Sequence, residues 1–516
     1  MRLSTQQLAN AGLNNILNQQ AKLNKTQTQL STGLRITKPS DDPTGATQIL
    51  GYKKVIQQTE QYQANIDTAR QYLGVEEDTL SSVISNLQRV RELAIQANND
   101  SQSADTRKII SDEVSQRLDE LVALANTKNA NGEYIFSGFQ GHTKPFSRGP
   151  NDTFIYNGDQ GQRFLQVSPS RQIATSDSGS DVFLKLRTGN GTFNTADSSG
   201  NSGTGIISQG IVSDATAIDG DSYNIVFPNT TSAAGTLTFN DVIGTDDTLA
   251  YDLTINGTSV YSVNESGTAI SSLNDLATQI NLSTGTTNVK AYVDGGALYL
   301  ANTPSSNQDI VINETLSGFT ATDGDTLTGY FGTALTEAAP SNTITLTSDA
   351  ASQYIVEDSQ GNIETSGAYQ DGGNITFNGY QVSIEGAPQT SDSFSINPSS
   401  NQSLFSTVQN LVTALEGGTS SNTNFHNVLA RFLEDVDLAE TSLVSARSSL
   451  GSRQNALDNQ YNLNDDSVLR FKESVSSIED LDFASAVSDL NLQLVGLEAA
   501  QQAYIKVQGL SLFNYL

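Results

Sequence analysis

Apolar residues near the start of the chain recur three and four apart, the spacing that lines up side chains on one side of a helix. Ala9, Leu13, Ile16, Gln20, Leu23, Gln27, Leu30 and Leu34 follow it and predict a first helix from about Thr5 to Ser31. Glutamine takes two of the inner positions, so the seam is weak and the isolated helix would be marginal in water. Gly33 and then Pro39-Ser40-Asp41-Asp42-Pro43 close it, with Asp41 or Asp42 expected to cap the next helix. Tyr52, Val55, Thr59, Tyr62, Ile66, Ala69, Leu73, Glu76, Leu80, Val83, Leu87, Val90, Ala94 and Ala97 hold the same spacing without a slip. That second helix, Thr44 to Asn98, would run about 80 Å at 1.5 Å per residue if Gly74 leaves it unbroken. Ser103 or Asp105 should cap a third helix carrying Ile110, Val114, Leu118, Leu121 and Ala125, ended by Asn131-Gly132.

From about 133 to 400 the period changes to two. Tyr251–Val260 reads as a hairpin across Asn256-Gly257, and Ile375–Ile384 as another across Asn378-Gly379. Val289, Ala291 and Val293 face Leu298 and Leu300 across Asp294-Gly295-Gly296, with a short helix of Leu273, Leu276, Ala277 and Ile280 before them. Segments 176–182, 195–205 and 228–234 are rich in small polar residues and read as surface loops. Tyr223-Asn224-Ile225-Val226 faintly echoes Tyr354-Ile355-Val356, too little to claim a repeat.

Helical spacing returns with Leu404, Val408, Leu411 and Leu415, stopped by Gly417-Gly418. A long run follows: Phe425, Leu429, Phe432, Val436, Ala439, Leu443, Ala446, Leu450, Arg453 and Leu457. It is the natural mate of the second helix. The last stretch, Leu481 to Leu516, carries two apolar stripes. One is Phe483, Val487, Leu490, Leu494, Leu497 and Tyr504, and the other Leu492, Val495, Ala499, Ala503, Val507 and Leu510. They lie on opposite sides of one helix, so that helix must be covered twice. A helix buried in the centre of a globular core would show the same pattern. The end on Leu512, Phe513 and Leu516 is unusually apolar for a terminus. The expectation is therefore α+β: a long antiparallel coiled-coil or bundle rod formed by both chain ends, with a β-rich domain inserted in the middle like a head on a stalk. The domain limits expected are 1–40 with 470–516, 41–170 with 385–469, and 171–384.

Proline supports this division, since none of the ten falls in 1–38, 44–144 or 399–516, and proline inside a helix costs about 3 kcal/mol. Charge is uneven. Residues 1–40 carry Arg2, Lys22, Lys25, Arg35 and Lys38 and no acid, whereas the acidic stretch from Asp458 onward carries nine acids against Arg470, Lys472 and Lys506. Opposite signs suit the two ends to lie side by side. Residues 151–400 hold 27 acids against five bases. That excess argues against nucleic acid as a partner, because no basic stripe is present to neutralise phosphates. The absence of cysteine removes disulfides, Cys-ligated metals and thiol catalysis together. The beginning of the chain lacks the apolar core of an ordinary secretory signal, and no apolar run reaches the ~18 residues of a membrane span.

Candidate chemistry is sparse. His142 and His426 are the only histidines, and no HExxH, P-loop, GxSxG or Rossmann fingerprint accompanies them. Each reads as an ordinary polar residue, so no catalytic, cofactor or metal site is expected. The acids of the middle read as a solvated surface, with a carboxylate pair for glycoside hydrolysis as the remote alternative. Thr322-Asp323-Gly324-Asp325 lacks the EF-hand spacing.

Leu30-Ser31-Thr32-Gly33-Leu34-Arg35-Ile36 followed by Asp41-Asp42-Pro43-Thr44-Gly45-Ala46 resembles the N-terminal signature of the flagellin superfamily. Ser477-Ile478-Glu479-Asp480-Leu481-Asp482-Phe483-Ala484 resembles its C-terminal signature. Gly132-Glu133-Tyr134-Ile135-Phe136-Ser137-Gly138 and the ending Ser511-Leu512-Phe513-Asn514-Tyr515-Leu516 are similar to its hook-associated members. Residues 251–312 resemble an insertion found in the superfamily, although this middle is larger than such members usually carry. The resemblance implies a non-enzymatic structural subunit of the bacterial flagellum, between hook and filament. It would be exported unfolded through the flagellar type III channel, and its implied partners are copies of itself, the first hook-associated protein, flagellin and a cytoplasmic export chaperone. It also implies an assembly interface of Leu13, Ile16, Leu23, Leu30, Phe483, Val487, Leu490, Leu494, Leu497, Tyr504, Leu512, Phe513 and Leu516, with Arg35, Asp41 and Asp42 at the turn between layers. The alternatives are a filament flagellin, or a secreted enzyme or adhesin carried by the β-rich middle.

Overall fold

The computed structural model describes residues 5–99, 102–231, 250–264, 270, 272–303, 308–318, 327–328, 330–331, 334–336, 338–347, 349–417 and 422–512. Seven helices of ten residues or more lie among them: α1 Thr5–Thr32, α2 Pro43–Ala97, α3 Ala104–Ala125, α4 Leu273–Leu282, α5 Leu404–Leu415, α6 Asn422–Glu479 and α7 Phe483–Leu512. The fold is α+β, with helices from both chain ends and a β-rich middle. Two compact units share it, and α2 and α6 contribute to both.

Unit 1 comprises residues 1–75, 162–176 and 449–516. Here α2 and α6 run antiparallel. Tyr52 lies against Phe471 with ring centroids 5.8 Å apart, Lys472 meets Glu60 at 3.3 Å, and Arg70 meets Asp458 at 2.6 Å. Ile49, Ile56, Tyr62, Ile66, Ala69 and Leu73 of α2 are buried, as are Leu450, Leu457 and Val468 of α6. The long run of α6 continues past Leu457 to Glu479. A polar Asn464 hides that continuation in the sequence, yet it is buried and its amide donates to the Val167 carbonyl at 3.0 Å. With Asn65, whose amide donates to Gln166 O at 2.8 Å, it pins the hairpin Phe164–Ser168/Arg171–Ala174.

Unit 2 comprises residues 76–161 and 177–448. In its helical part α3 packs against α5, and α2 is tied to α3 by Arg89–Glu113 and to α6 by Arg91–Asp437, both at 2.9 Å. Phe136, Phe146, Phe183 and Phe405 meet there with centroids 5.0–5.6 Å apart. Five antiparallel strands follow in the order Ile363–Ala368, Gln353–Glu357, Tyr223–Val226, Ser393–Pro398, Phe193–Asp197. The two segments with echoing sequences are therefore sheet neighbours, pairing Ile355 with Val226. A separate core of Tyr251, Leu253, Leu276, Ile280, Val289, Leu298, Leu300, Ile310 and Ile312 belongs entirely to residues 250–346. The Asn256-Gly257, Gly295-Gly296 and Asn378-Gly379 turns all have positive φ at both central residues, as two-residue hairpins require.

Two expectations need correction. The third helix stops at Ala125, six residues before Asn131. Asn126 ends it by turning its side chain onto the next strand, accepting the Phe146 N–H at 2.9 Å and donating to Phe146 O at 3.1 Å. Residues 176–182 are not a surface loop. Ser176–Ser180 and Val182 are buried, with a helical turn at Gly179–Phe183. Small residues are used because space is short: a Cβ on Gly179 would lie 2.9 Å from both Phe136 O and a Phe146 ring carbon. The buried Glu76 carboxylate accepts the Asp177 N–H at 3.0 Å. Segment 195–205 begins inside the strand Phe193–Asp197, and 228–234 contains the strand Asn229–Thr231, with 232–234 lying outside the described residues.

Candidate assembly interface

The two chain ends meet first at a crossover within unit 1. Gly33 leaves α1 at φ +71°, a conformation that costs glycine little, and its N–H still bonds Gln29 O at 2.8 Å. Residues 33–35 then pair antiparallel with 479–481. The Arg35 N–H donates to Glu479 O at 2.7 Å, and the Leu481 N–H to Gly33 O at 3.0 Å. The Arg35 guanidinium donates through Nε and Nη2 to Ile478 O at 3.0 and 2.8 Å. That carbonyl lies in the last turn of α6, where unbonded carbonyls and the helix dipole favour a cation.

The same guanidinium lies 3.6 Å from the Asp42 carboxylate. Asp42, rather than Asp41, is the cap of α2: its Oδ1 accepts the Gly45 N–H at 2.9 Å, with Pro43 at the first helical position. Asp41 fastens the loop instead. It accepts the Thr37 N–H, the Thr37 hydroxyl and the Lys38 N–H at 3.0–3.2 Å, and its other oxygen meets Lys25 Nζ at 3.0 Å. Lys25, then Thr37, hold its carboxyl down at about 2. Lys53 of α2 meets Glu479 at 2.9 Å. Exposed pairs of this kind add little stability each; together they set the angle at which both ends leave α2 and α6. The structure thus brings Arg35, Asp41 and Asp42 into one cluster and adds Lys25, Lys53 and Glu479 to it. A basic stretch before the turn and an acidic one after α6 were the available sequence signal.

Beyond the crossover α1 and α7 pair antiparallel. Gly33 lies beside the Phe483 ring, Gln19 beside Gly496, and Gly12 beside the Tyr504 ring. Gln19 Nε2 donates to Gln493 O at 3.3 Å. The seam is Gly12, Ile16, Gln19, Leu23, Thr26, Leu30 and Gly33 on α1, and Ala486, Leu490, Gln493, Leu497, Ala500 and Tyr504 on α7. Leu23, Thr26 and Ala486 are buried and the others partly covered. Of the expected interface, Ile16, Leu23, Leu30, Leu490, Leu497 and Tyr504 lie on this seam within the chain. Leu13, Val487 and Leu494 do not, and Phe483 reaches the seam only at Gly33; all four remain 43–55% exposed. The inner glutamines expected at 20 and 27 also face outward. Small residues at 12 and 33 let the helices approach, and that moved the seam one position. The second stripe of α7 is barer still, with Leu492 at 68% and Val495 at 66% exposed. Leu512 ends α7 with its side chain outside the described residues, and Phe513 and Leu516 lie outside them altogether.

Unit 1 carries 13 of the 20 large apolar side chains that are exposed among the described residues, including Leu17, Leu50, Val55, Leu463, Leu469 and Ile505. Exposed apolar side chains are thus concentrated in this unit. Among the described residues, no group of three metal-ligating side chains occurs, and no helix is long and apolar enough to cross a membrane.

Comparison with known proteins agrees with this geometry. Residues 3–141 match the bacterial flagellin N-terminal helical region, and residues 433–516 the bacterial flagellin C-terminal helical region. The flagellar hook-associated protein 3 of Salmonella typhimurium strain LT2 is 33% identical over 186 residues, 36% of this chain and 58% of that protein. This chain thus matches under two thirds of that relative's length. Phase 1 flagellin of Salmonella naestved is 32% identical over 150 residues, 29% of each chain. The crystal structure of the flagellar junction protein FlgL from Legionella pneumophila has 25% identity and a TM-score of 0.53, over 85% of this chain and 100% of that one.

Proposed function

From the match of the chain's two ends to the bacterial flagellin helical regions, we propose that it is a structural subunit of the bacterial flagellum at the junction between a hook-associated protein and the flagellin filament. The observation that carries this is the α1–α7 pair, closed along one seam and bare along the others. Burying an exposed Leu or Val side chain contributes roughly 1.5–3 kcal/mol. Leu13, Leu17, Phe483, Val487, Leu492 and Val495 together therefore offer a large gain to any assembly that covers them. Copies of the same chain cover them around a ring, with the first hook-associated protein on one side and flagellin on the other. A cytoplasmic chaperone shields α7 until the chain leaves through the flagellar type III channel, and the protein works outside the cell. In this reading residues 1–40 with 470–516 form the inner coiled-coil layer, 41–170 with 385–469 the helical rod, and 171–384 the inserted β-rich domain. The work is mechanical, with no reaction at any of these positions.

The flagellin match supports a second reading, a filament subunit. The likeness to a junction protein over most of the chain favours the first. A strain lacking this protein separates them. Intact hooks with flagellin monomers in the medium are the result expected of a junction subunit. Filaments merely shortened or reduced would overturn it in favour of a filament subunit.

A further inference from the structure

Residues 188–196, α5 and α6 wall a cavity of about 420 Å³ in unit 2. Leu411, Ala414, Val428 and Phe432 make one side apolar. The other side is polar and unbalanced. Arg431, Glu434 and Asp435 reach it from neighbouring positions of α6. Arg431 Nη2 meets Asp197 at 2.7 Å, and the Asp197 side chain is only 5% exposed, so the guanidinium charge is matched there. Asp435 is held by neutral donors, the Gly189 N–H at 3.0 Å and the Gln402 amide at 2.6 Å.

Glu434 has no such arrangement. Among the described residues no cation lies within ion-pair distance of it, and its hydrogen-bond donor is the Gln209 backbone N–H. On its own helix Asp435 and Asp437 add charge of the same sign, Asp437 being itself engaged by Arg91 at 2.9 Å. The side walls bring only neutral polar groups: Thr407, Asn410 and Thr413 from α5, and Thr188 and Asn194 from the 188–196 segment. Asn194 Oδ1 and Arg431 Nη1 are both buried and have no hydrogen-bond partner among the described residues. Three carboxylates thus share one guanidinium. In a partly desolvated pocket an unmatched carboxylate takes up a proton rather than stay charged.

We propose that this cavity is a proton-binding site: Glu434 carries one proton in the folded chain near neutrality, and the hold of α6 on the 188–196 segment loosens when that proton leaves. Burial, reinforced by Asp435, pushes the Glu434 carboxyl up to about 7. An unfolded glutamate titrates near 4.3, so the folded form binds the extra proton between roughly pH 4.3 and 7. Stability from this group is therefore present in mild acid, falls as pH rises through that interval, and levels off above it. The unfolding equilibrium constant of unit 2 rises by up to about tenfold per pH unit within it.

The decisive measurement is the side-chain carboxyl shift of Glu434 in the full chain, followed by NMR from pH 5 to 8.5. The background is His142→Asn/His426→Asn, so that no imidazole contributes to the readout. The expected result is a midpoint near neutrality, mirrored in the Gly189 and Gln209 amides and absent from those amides in Glu434→Gln. Urea unfolding of the same pair should show stability falling between pH 5 and 7 in the parent and a flatter profile in Glu434→Gln. A Glu434 carboxyl already ionised at pH 5.5, or an equal slope in Glu434→Gln, overturns the proposal.

Discussion

Asp41 gathers two backbone N–H groups, a hydroxyl and an ammonium around one carboxylate, so the loop 37–41 depends on its charge. Its carboxyl titrates at about 2 when folded, against roughly 3.9 in an unfolded chain. A lowered acid stabilises at every pH above its unfolded value and stops doing so as pH falls through the folded one. The loop should therefore hold down to about pH 4 and loosen between about 4 and 2. The Thr37 and Lys38 amide shifts would report it, and Asp41→Asn should remove that step. Gly33 is as specific in another way. An alanine there would occupy the left-handed region at a cost of roughly 1–2 kcal/mol. Gly33→Ala should accordingly speed amide exchange at Arg35 and Leu481 about tenfold without changing exchange in α3.

At the scale of elements, the distinction that matters is between the seam and the bare stripes of α1 and α7. Leu23→Ala removes a buried contact and should cost the lone chain about 2–3 kcal/mol of local stability around α1, read as faster exchange from 12 to 33. Val495→Ser changes a side chain 66% exposed, so urea unfolding of the monomer should shift by less than about 0.5 kcal/mol. The same variant should raise the concentration needed for assembly at least tenfold, or leave motility lost while the protein is still secreted. Equal effects of the two variants on the monomer would show that the seam is misplaced. Much of this level was legible beforehand. Three–four spacing located α1, α2, α5 and the start of α6, and Asn-Gly turns located the hairpins. The offset of the α1 seam was not, because Gly12, Gln19 and Thr26 look polar or empty in sequence and become inner positions only when another helix fills them. The buried stretch 176–183 escaped for a related reason. Small polar residues signal a loop, whereas here Phe136 and Phe146 leave no room for anything larger. Of the site residues, Arg35 came from motif resemblance alone, whereas Asp41 and Asp42 were legible as a helix cap and only the resemblance set them at the turn between layers.

At the scale of the whole molecule, the β-rich middle divides where its cores divide. A cut at 190–345 removes the strands Phe193–Asp197 and Tyr223–Val226 and breaks the five-stranded sheet. Residues 250–346 have their own core, and the strands on either side of them are antiparallel neighbours, with Val226 opposite Ile355. Replacing 229–348 by a short Gly-Ser linker therefore closes a hairpin that already exists. This variant should fold cooperatively, though less stably, because Val226 and Ile355 lose Tyr292 and Tyr299. The 190–345 deletion should yield insoluble protein, and solubility with circular dichroism distinguishes the two. If cells carrying the shorter excision still swim, the removed region is dispensable for building the filament.

Leu34 and Asp480 face each other although nearly the whole polypeptide separates them. A ribosome adding ~5–20 residues per second needs roughly 22–90 seconds to reach the second after the first. Throughout that interval α1 waits with its partner strand not yet made. This contact, like those of the seam beyond it, closes a loop of most of the chain, and its formation is a late kinetic event. Nascent chains arrested at increasing lengths should stay protease-sensitive in α1 until α7 has cleared the exit tunnel.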